Sequence, residues 1–148
     1  MKLFIACDHA GIELKDEIKK YLSEKGYDVA DLGINTGEKI DYPISAERVA
    51  RKVAEEHDSL GILICGTGIG MSISANKVKG IRAAAVSEVY SAKYTRLHND
   101  ANIICIGARV IGVETAKMIV DAFVETPFEG GRHENRVNLI KKLEENFR

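Results

Sequence analysis

Leu60-Gly61-Ile62-Leu63-Ile64-Cys65-Gly66-Thr67-Gly68-Ile69-Gly70-Met71-Ser72 decides the fold. Its first half is a short apolar run of the kind that forms a buried strand. Its second half has glycine at every second position, and Ile69 to Lys77 then has the look of a short helix. A strand, a glycine-rich turn and a helix start place backbone N–H groups where an anion can sit. Cys65 occupies the last strand position, where its thiol would face whatever the loop holds.

Working outward, strand and helix signals alternate along the chain. Leu3 to Cys7 predicts strand one, and Gly11 to Lys25 a helix with Leu14, Ile18, Tyr21 and Leu22 on one face. Gly26 suits the position just past a helix end. Tyr27 to Leu32 predicts a shorter strand. A loop with Gly33, Asn35, Thr36 and Gly37 leads to Asp41-Tyr42-Pro43, and Pro43 suits the first turn of the next helix. After the quoted stretch come an alanine-rich strand over Arg82 to Ser87 and a helix over Glu88 to His98. Strand five covers Asn102 to Ile106, followed by an amphipathic helix over Val113 to Val124. A last helix runs from about His133 to Phe147. This alternation predicts an α/β fold: a Rossmann-like three-layer sandwich with a five-stranded parallel sheet and an additional C-terminal helix. Residues 1–148 are expected to form one domain. The last helix has no strand left to cover, and its apolar residues Val137, Leu139, Ile140, Leu143 and Phe147 predict contact with a second copy of the chain.

In such folds ligands sit at the carboxyl ends of the strands. Asp8 and His9 follow strand one, Cys65 to Gly70 end strand three, and Arg109 follows strand five, so these residues converge on one rim. His98-Asn99 ends a helix, where a histidine is either a favourable charge at the C-terminus or an acid–base group. Arg132 and Arg136 are one helical turn apart and are either a solvated pair or a phosphate clamp.

Composition excludes several classes. A net charge of -1 argues against nucleic-acid and membrane-surface binding. No apolar run approaches the roughly 20 residues of a membrane span, and the N-terminal apolar run is too short for a signal peptide, so a cytoplasmic protein is expected. Three cysteines with no CxxC pair argue against disulfides or a zinc site. No metal and no cofactor is expected. Gly66-x-Gly68-x-Gly70 places Met71 where a dinucleotide fingerprint needs glycine, no Gly-Lys-Ser/Thr ends a Walker loop, and no arginine follows the cysteine as in a cysteine phosphatase. What remains is an amide cradle with a thiol beside it. A free thiol is only about 3% ionised at neutral pH, and helix N-termini and glycine loops favour the thiolate. Such a thiolate can act as nucleophile or base, and the same amides can hold an oxyanion, which is equipment for removing a proton α to a carbonyl.

Ala6-Cys7-Asp8-His9-Ala10-Gly11, Asp41-Tyr42-Pro43, the Cys65–Gly70 loop, Ser74-Ala75-Asn76-Lys77, His98-Asn99, Ile106-Gly107-Ala108-Arg109, Arg132-His133 and Arg136 occur in that order. Together they resemble ribose-5-phosphate isomerase of type B, in the wider family with galactose-6-phosphate and allose-6-phosphate isomerases. The resemblance implies a metal-independent aldose–ketose isomerase that interconverts ribose 5-phosphate and ribulose 5-phosphate through an enediolate. It implies Cys65 as the base between C2 and C1, and His98 as the acid that opens the furanose ring. Thr67 and the amides of Gly66, Gly68, Ile69 and Gly70 would steady the reacting oxygens, with Tyr42 beside them. Asp8 and Asn99 would bind sugar oxygens, and His9, Arg109, Arg132 and Arg136 the phosphate. A second branch of the family uses a glutamate that would fall at Met71, so this chain resembles the cysteine branch. Family proteins are homodimers or dimers of dimers with sites built from two subunits. A six-carbon aldose 6-phosphate is the alternative substrate, and a non-catalytic phosphate-binding module the alternative of another class.

Overall fold

Four of the five strands are apolar at nearly every position, the edge strand Asp28–Asp31 being the exception, which suits a parallel sheet covered on both faces. The computed structural model describes residues 1–147. In chain order its elements are β1 (Lys2–Cys7), α1 (Ile12–Glu24), β2 (Asp28–Asp31), α2 (Tyr42–Glu55), β3 (Ser59–Cys65) and α3 (Ile69–Ala75). Then come β4 (Ala83–Ala85), α4 (Val89–Asn99), β5 (Ile103–Gly107), α5 (Val113–Glu125) and α6 (Arg132–Asn146). The five strands form one parallel sheet in the order β2-β1-β3-β5-β4. The order reverses between β1 and β3, which opens a crevice at their carboxyl ends.

Alternate strand residues feed two cores. Leu3, Ile5, Cys7, Ile62, Ile64, Ile104 and Ile106 pack against α1 and α5. Phe4, Ala6, Leu63, Cys65, Ile103 and Cys105 pack against α2 and α3. Cys65 therefore points to the α2–α3 side, and its register partner is Gly107 on β5. The sheet registers place Cys7 beside Ile64, so the ends of β1 and β3 lie level.

The fourth strand covers three residues, shorter than the Arg82–Ser87 expected from its alanine run. It is an edge strand paired only with β5. The side-chain amide of Asn76 meets its free edge: Nδ2 donates to Ala83 O at 2.8 Å and Oδ1 accepts from Ala83 N at 2.8 Å. Asn76 thus stands in for one residue of a missing neighbour strand, which blunts an edge prone to pairing. β2 is also shorter than expected, and α3 ends at Ala75, not Lys77.

α6 packs on α4 through His133 and Val137, and Glu144 accepts from Gly80 N. Leu139, Ile140, Leu143 and Phe147 face outward. No helix among the described residues is long and apolar enough to cross a membrane.

Candidate active site

The crevice between β1 and β3 is lined by the turns that follow them. After β1, Asp8 N donates to Ile64 O at 3.1 Å, tying the turn to β3. Asp8 Oδ1 accepts from Ala10 N at 2.9 Å, and His9 is exposed beside it. Gly11 is obligatory here, because a Cβ would lie 2.8 Å from Ile64 O and 2.7 Å from the Ile64 side chain. α1 can therefore start close against the sheet.

After β3 the loop folds back over the strand that produced it. Gly68 has φ of +80°, a conformation that favours glycine. Its N–H donates to Cys65 Sγ at 3.1 Å, and Cys65 is only 5% exposed. One amide expected to face a ligand is thus spent on the thiol itself. Ile69 N donates to Thr67 Oγ1 at 3.3 Å. The first-turn N–H groups of Gly70 and Met71 have no partner within their own helix. Thr67 and the Ile69 side chain are exposed, whereas Met71 is fully buried in the core beside Cys65.

Neighbouring elements close around this loop. Ala108 N donates to Cys65 O at 2.8 Å and Arg109 N to Gly66 O at 3.1 Å. The Arg109 side chain lies over Gly66, and the Tyr42 ring lies so close over Gly70 that a Cβ there would be 2.7 Å from it. Tyr42 is the first residue of α2, and the loop leading to it is anchored by Lys15. Lys15 is fully buried, and its Nζ donates to Ile34 O at 2.9 Å and pairs with Asp31 Oδ2 at 3.0 Å. Burial alone would lower the Lys15 pKa, but the hydrogen bond and charge of Asp31 raise it. Burial likewise opposes ionisation of Asp31, and the Gly33 N–H and Lys15 overcome it, so its carboxyl lies below its usual range.

The other two cysteines differ from Cys65. Burial pushes the Cys7 thiol up to about 11. Burial, and then the neighbouring Cys65, raises Cys105 as well. Both are core groups.

His98, Asn99, Arg132 and Arg136 are not at this rim. α4 runs antiparallel to the strands, so its C-terminal end lies at the amino ends of β4 and β5. There Arg82, just before β4, donates through Nε to Asn99 O at 3.1 Å and Asp100 O at 2.9 Å. His98 stacks on His133 of α6, with ring centroids 4.0 Å apart and planes 12° apart. Tyr94 meets His98 edge-on at 4.8 Å and stacks on Tyr90 at 4.3 Å. A cavity of about 300 Å³ lies beside this ladder, lined by Tyr90, Tyr94, His98 and Asn99 among others. Arg132 opens α6 and Arg136 follows one turn later, both exposed. Arg132 at the helix N-terminus opposes the helix dipole, and Glu134 in the same turn offsets it. The residues singled out in the sequence thus fall into two clusters: Asp8, His9, Tyr42, Cys65–Gly70 and Arg109 at one rim, and His98, Asn99, Arg132 and Arg136 at the other.

His133 and Glu129 belong to the second cluster and carry no signal in the local sequence. His133 is 3% exposed, and Glu129 Oε2 lies 3.7 Å from His98 Nε2. Only the spacing of Tyr90, Tyr94 and His98, four apart on one helix face, hints that an aromatic ladder ends at this point.

Comparison with known proteins completes the picture. Residues 3–140 match the family model described as Ribose/Galactose Isomerase. Ribose-5-phosphate isomerase B of Escherichia coli K12 is 51% identical over 144 residues, 97% of this chain and 97% of that protein. The structure of ribose-5-phosphate isomerase B from Clostridium thermocellum is similar with a TM-score of 0.96 at 47% identity, covering 100% of both chains. The Mycoplasma genitalium ribose-5-phosphate isomerase B, solved with bound ribulose-5-phosphate, has a TM-score of 0.94 at 44% identity over 97% of this chain and 96% of that one.

Proposed function

The chain belongs to the ribose/galactose isomerase family, and on that premise we propose that it interconverts D-ribose 5-phosphate and D-ribulose 5-phosphate, with Cys65 as the proton-moving base. The observation that carries this reading is the Cys65 thiol at the end of β3, held by the Gly68 N–H at 3.1 Å, with Met71 buried beside it. An N–H aimed at sulfur stabilises negative charge there. The thiolate takes the C2 proton of the open-chain aldose, and the electron pair moves onto O1 to give an enediolate. The resulting thiol returns its proton to C1 while the O2 proton passes to O1, which yields the ketose and regenerates the thiolate. Thr67 and the first-turn amides of Gly70 and Met71 steady O1 and O2, while the Gly68 amide stays on the thiol, and the Tyr42 ring keeps Gly70 in place. His98 gives a proton to the ring oxygen of the furanose as O1 loses its own. Asp8 and Asn99 bind sugar hydroxyls. Arg132 and Arg136 clamp the phosphate, with His9 and Arg109 at its approach.

This chemistry needs both half-sites within one sugar phosphate's reach. Five residues of β5 separate the rims, about 16 Å at roughly 3.3 Å per residue. The active unit is therefore a homodimer, or a dimer of dimers, in which the His98–α6 rim of one copy meets the Cys65 loop of the other. Two exposed apolar patches support it: Tyr42, Ile44, Ile69 and Ile73 beside the loop, and Leu139, Ile140 and Leu143 on α6. Residues 1–148 act as one isomerase domain in the cytoplasm, without nucleic acid or membrane as partner.

The test is turnover of ribose 5-phosphate compared with allose 6-phosphate and galactose 6-phosphate. The five-carbon sugar is expected to have the highest kcat/KM. A higher value for either six-carbon sugar would transfer the chemistry to that substrate, and no turnover of any would leave only a phosphate-binding module.

A further inference from the structure

His133 presents the one buried side-chain nitrogen among the described residues that lacks a hydrogen-bond partner, its Nε2. The other ring nitrogen fixes the tautomer. Arg136 Nη1 lies 3.2 Å from His133 Nδ1, and a guanidinium can only donate. Nδ1 is therefore an acceptor, and the ring proton sits on Nε2. That N–H points into the space shared with Glu129, whose Oε2 is 3.9 Å away. The same oxygen is 3.7 Å from His98 Nε2. One carboxylate oxygen thus faces two imidazole N–H positions, and a closure of about an ångström would put it within hydrogen-bond reach of both.

The surroundings decide where positive charge can reside. Burial, then His98 and Arg132, hold His133 below its ordinary pKa, and the opposing pull of Glu129 does not reverse this. The groups facing the pair are Tyr94 from α4, Glu129 from the α5–α6 connection, and Arg132 and Arg136 from α6. Two stacked imidazolium rings at 4.0 Å would repel. The stack therefore disfavours charge on both rings at once. The stack also fixes orientation, because His98 is gripped by the His133 face on one side and the Tyr94 edge on the other. A metal is a poorer occupant of this cluster, although the three ligand atoms lie within 4.8 Å of one another. The ring planes are nearly parallel, so their lone pairs run side by side and do not converge.

We propose that His133 and Glu129 are positioning residues for His98: the stacked neutral His133 holds its ring plane, and Glu129 holds its charged form ready to protonate the ring oxygen of a cyclic sugar phosphate. This rests on the isomerase reading above and extends it to two residues outside the substrate's contact. Arg136 joins the two tasks, since the guanidinium that donates to His133 also faces the phosphate position. Occupancy of the phosphate site is thereby linked to the orientation of the acid.

The experiment uses Glu129→Gln and His133→Phe in the full-length protein. The phenyl ring keeps the stack and deletes both nitrogens. Two rates are measured across pH 5–9: turnover of ribose 5-phosphate, which must open its ring, and solvent-deuterium incorporation into ribulose 5-phosphate, which has no ring to open. Both variants are expected to lower kcat for ribose 5-phosphate about 10-fold, with KM within about 2-fold and a displaced pH profile. Exchange into ribulose 5-phosphate should stay within about 2-fold of wild type. Equal losses in both reactions, a loss confined to KM, or no loss would overturn the proposal. Glu129 is exposed, so Glu129→Gln decides the matter alone if His133→Phe does not fold. His98→Asn is the reference. If it impairs ring opening while the two variants do not, only this inference fails. If wild type turns over no ribose 5-phosphate, the isomerase reading fails and takes the inference with it.

Discussion

Two inactive variants should restore each other. Within one chain, Cys65 and His98 lie at opposite rims of the sheet, separated by the five residues of β5, about 16 Å at roughly 3.3 Å per residue. No side chain spans that gap, so the proposed mechanism, which uses both residues, takes Cys65 from one copy and His98 from the other. Cys65→Ala and His98→Asn are each expected to leave at most about 1% of the turnover of ribose 5-phosphate. When the two variants are mixed and their subunits exchanged, about half of the dimers are mixed. A mixed dimer has one site with both substitutions and one with neither. Activity should therefore rise to about a quarter of the wild-type value per protomer. The assay is ribulose 5-phosphate formation before and after exchange, with subunit exchange verified by native mass spectrometry of differently tagged chains. If mixed dimers form and activity stays at the mean of the two residual values, the two half-sites do not meet and the shared-site reasoning fails.

Three further outcomes follow from local geometry. Gly68→Ala places a methyl in a left-handed conformation and 3.0 Å from the Cys105 and Ile106 backbone; it should cost about 2–4 kcal/mol and lower kcat about 100-fold by displacing the N–H on Cys65. Gly26→Ala, with a similar φ but open space around it, should cost only about 1 kcal/mol and leave kcat unchanged; equal effects in urea titration and kinetics would refute the packing argument. Asp31→Asn removes the less exposed of the two carboxylates paired with buried Lys15, the other being Asp16 at 3.3 Å, and should cost about 2–4 kcal/mol at pH 7. Because the Asp31 carboxyl is lowered in the fold, its stabilisation is present above the ordinary carboxylate value of about 4 and is lost as pH falls through the folded value. The variant should therefore lack that part of the acid-induced loss in urea midpoints between pH 3 and 7, and an unchanged acid slope would count against it. Arg132→Gln and Arg136→Gln should each raise KM for ribose 5-phosphate about 10-fold or more and weaken inhibition by inorganic phosphate, whereas unchanged KM would free them from the phosphate.

Much of the fold was legible because the chain advertises it locally. Alternating strand and helix signals specified a five-stranded parallel sheet, and Cys65 stood out as a thiol followed by a glycine loop. β4 was overestimated because an alanine run does not show where pairing stops. Its edge is finished by Asn76, a tertiary contact that no local propensity reports. The division of the site into two rims was implicit in topology: residues after strands share one rim, and a residue ending a helix such as His98 lies at the other. Nothing in the local sequence sets His133 apart from a surface residue. Its burial depends on stacking against His98, 35 residues earlier, and its partner Glu129 reaches the pair only because the chain between α5 and α6 turns back along α4. Such contacts are set by packing of distant elements and leave no periodicity behind.

The central claim is that Cys65 moves the proton. The most direct measurement is exchange of the C2 proton of ribose 5-phosphate with deuterated solvent, followed by NMR, for wild type and Cys65→Ala. Wild type should incorporate deuterium. Cys65→Ala should keep its circular dichroism spectrum and melting transition and lose exchange by at least about 1,000-fold. Exchange at the wild-type rate in a folded Cys65→Ala protein would contradict the account.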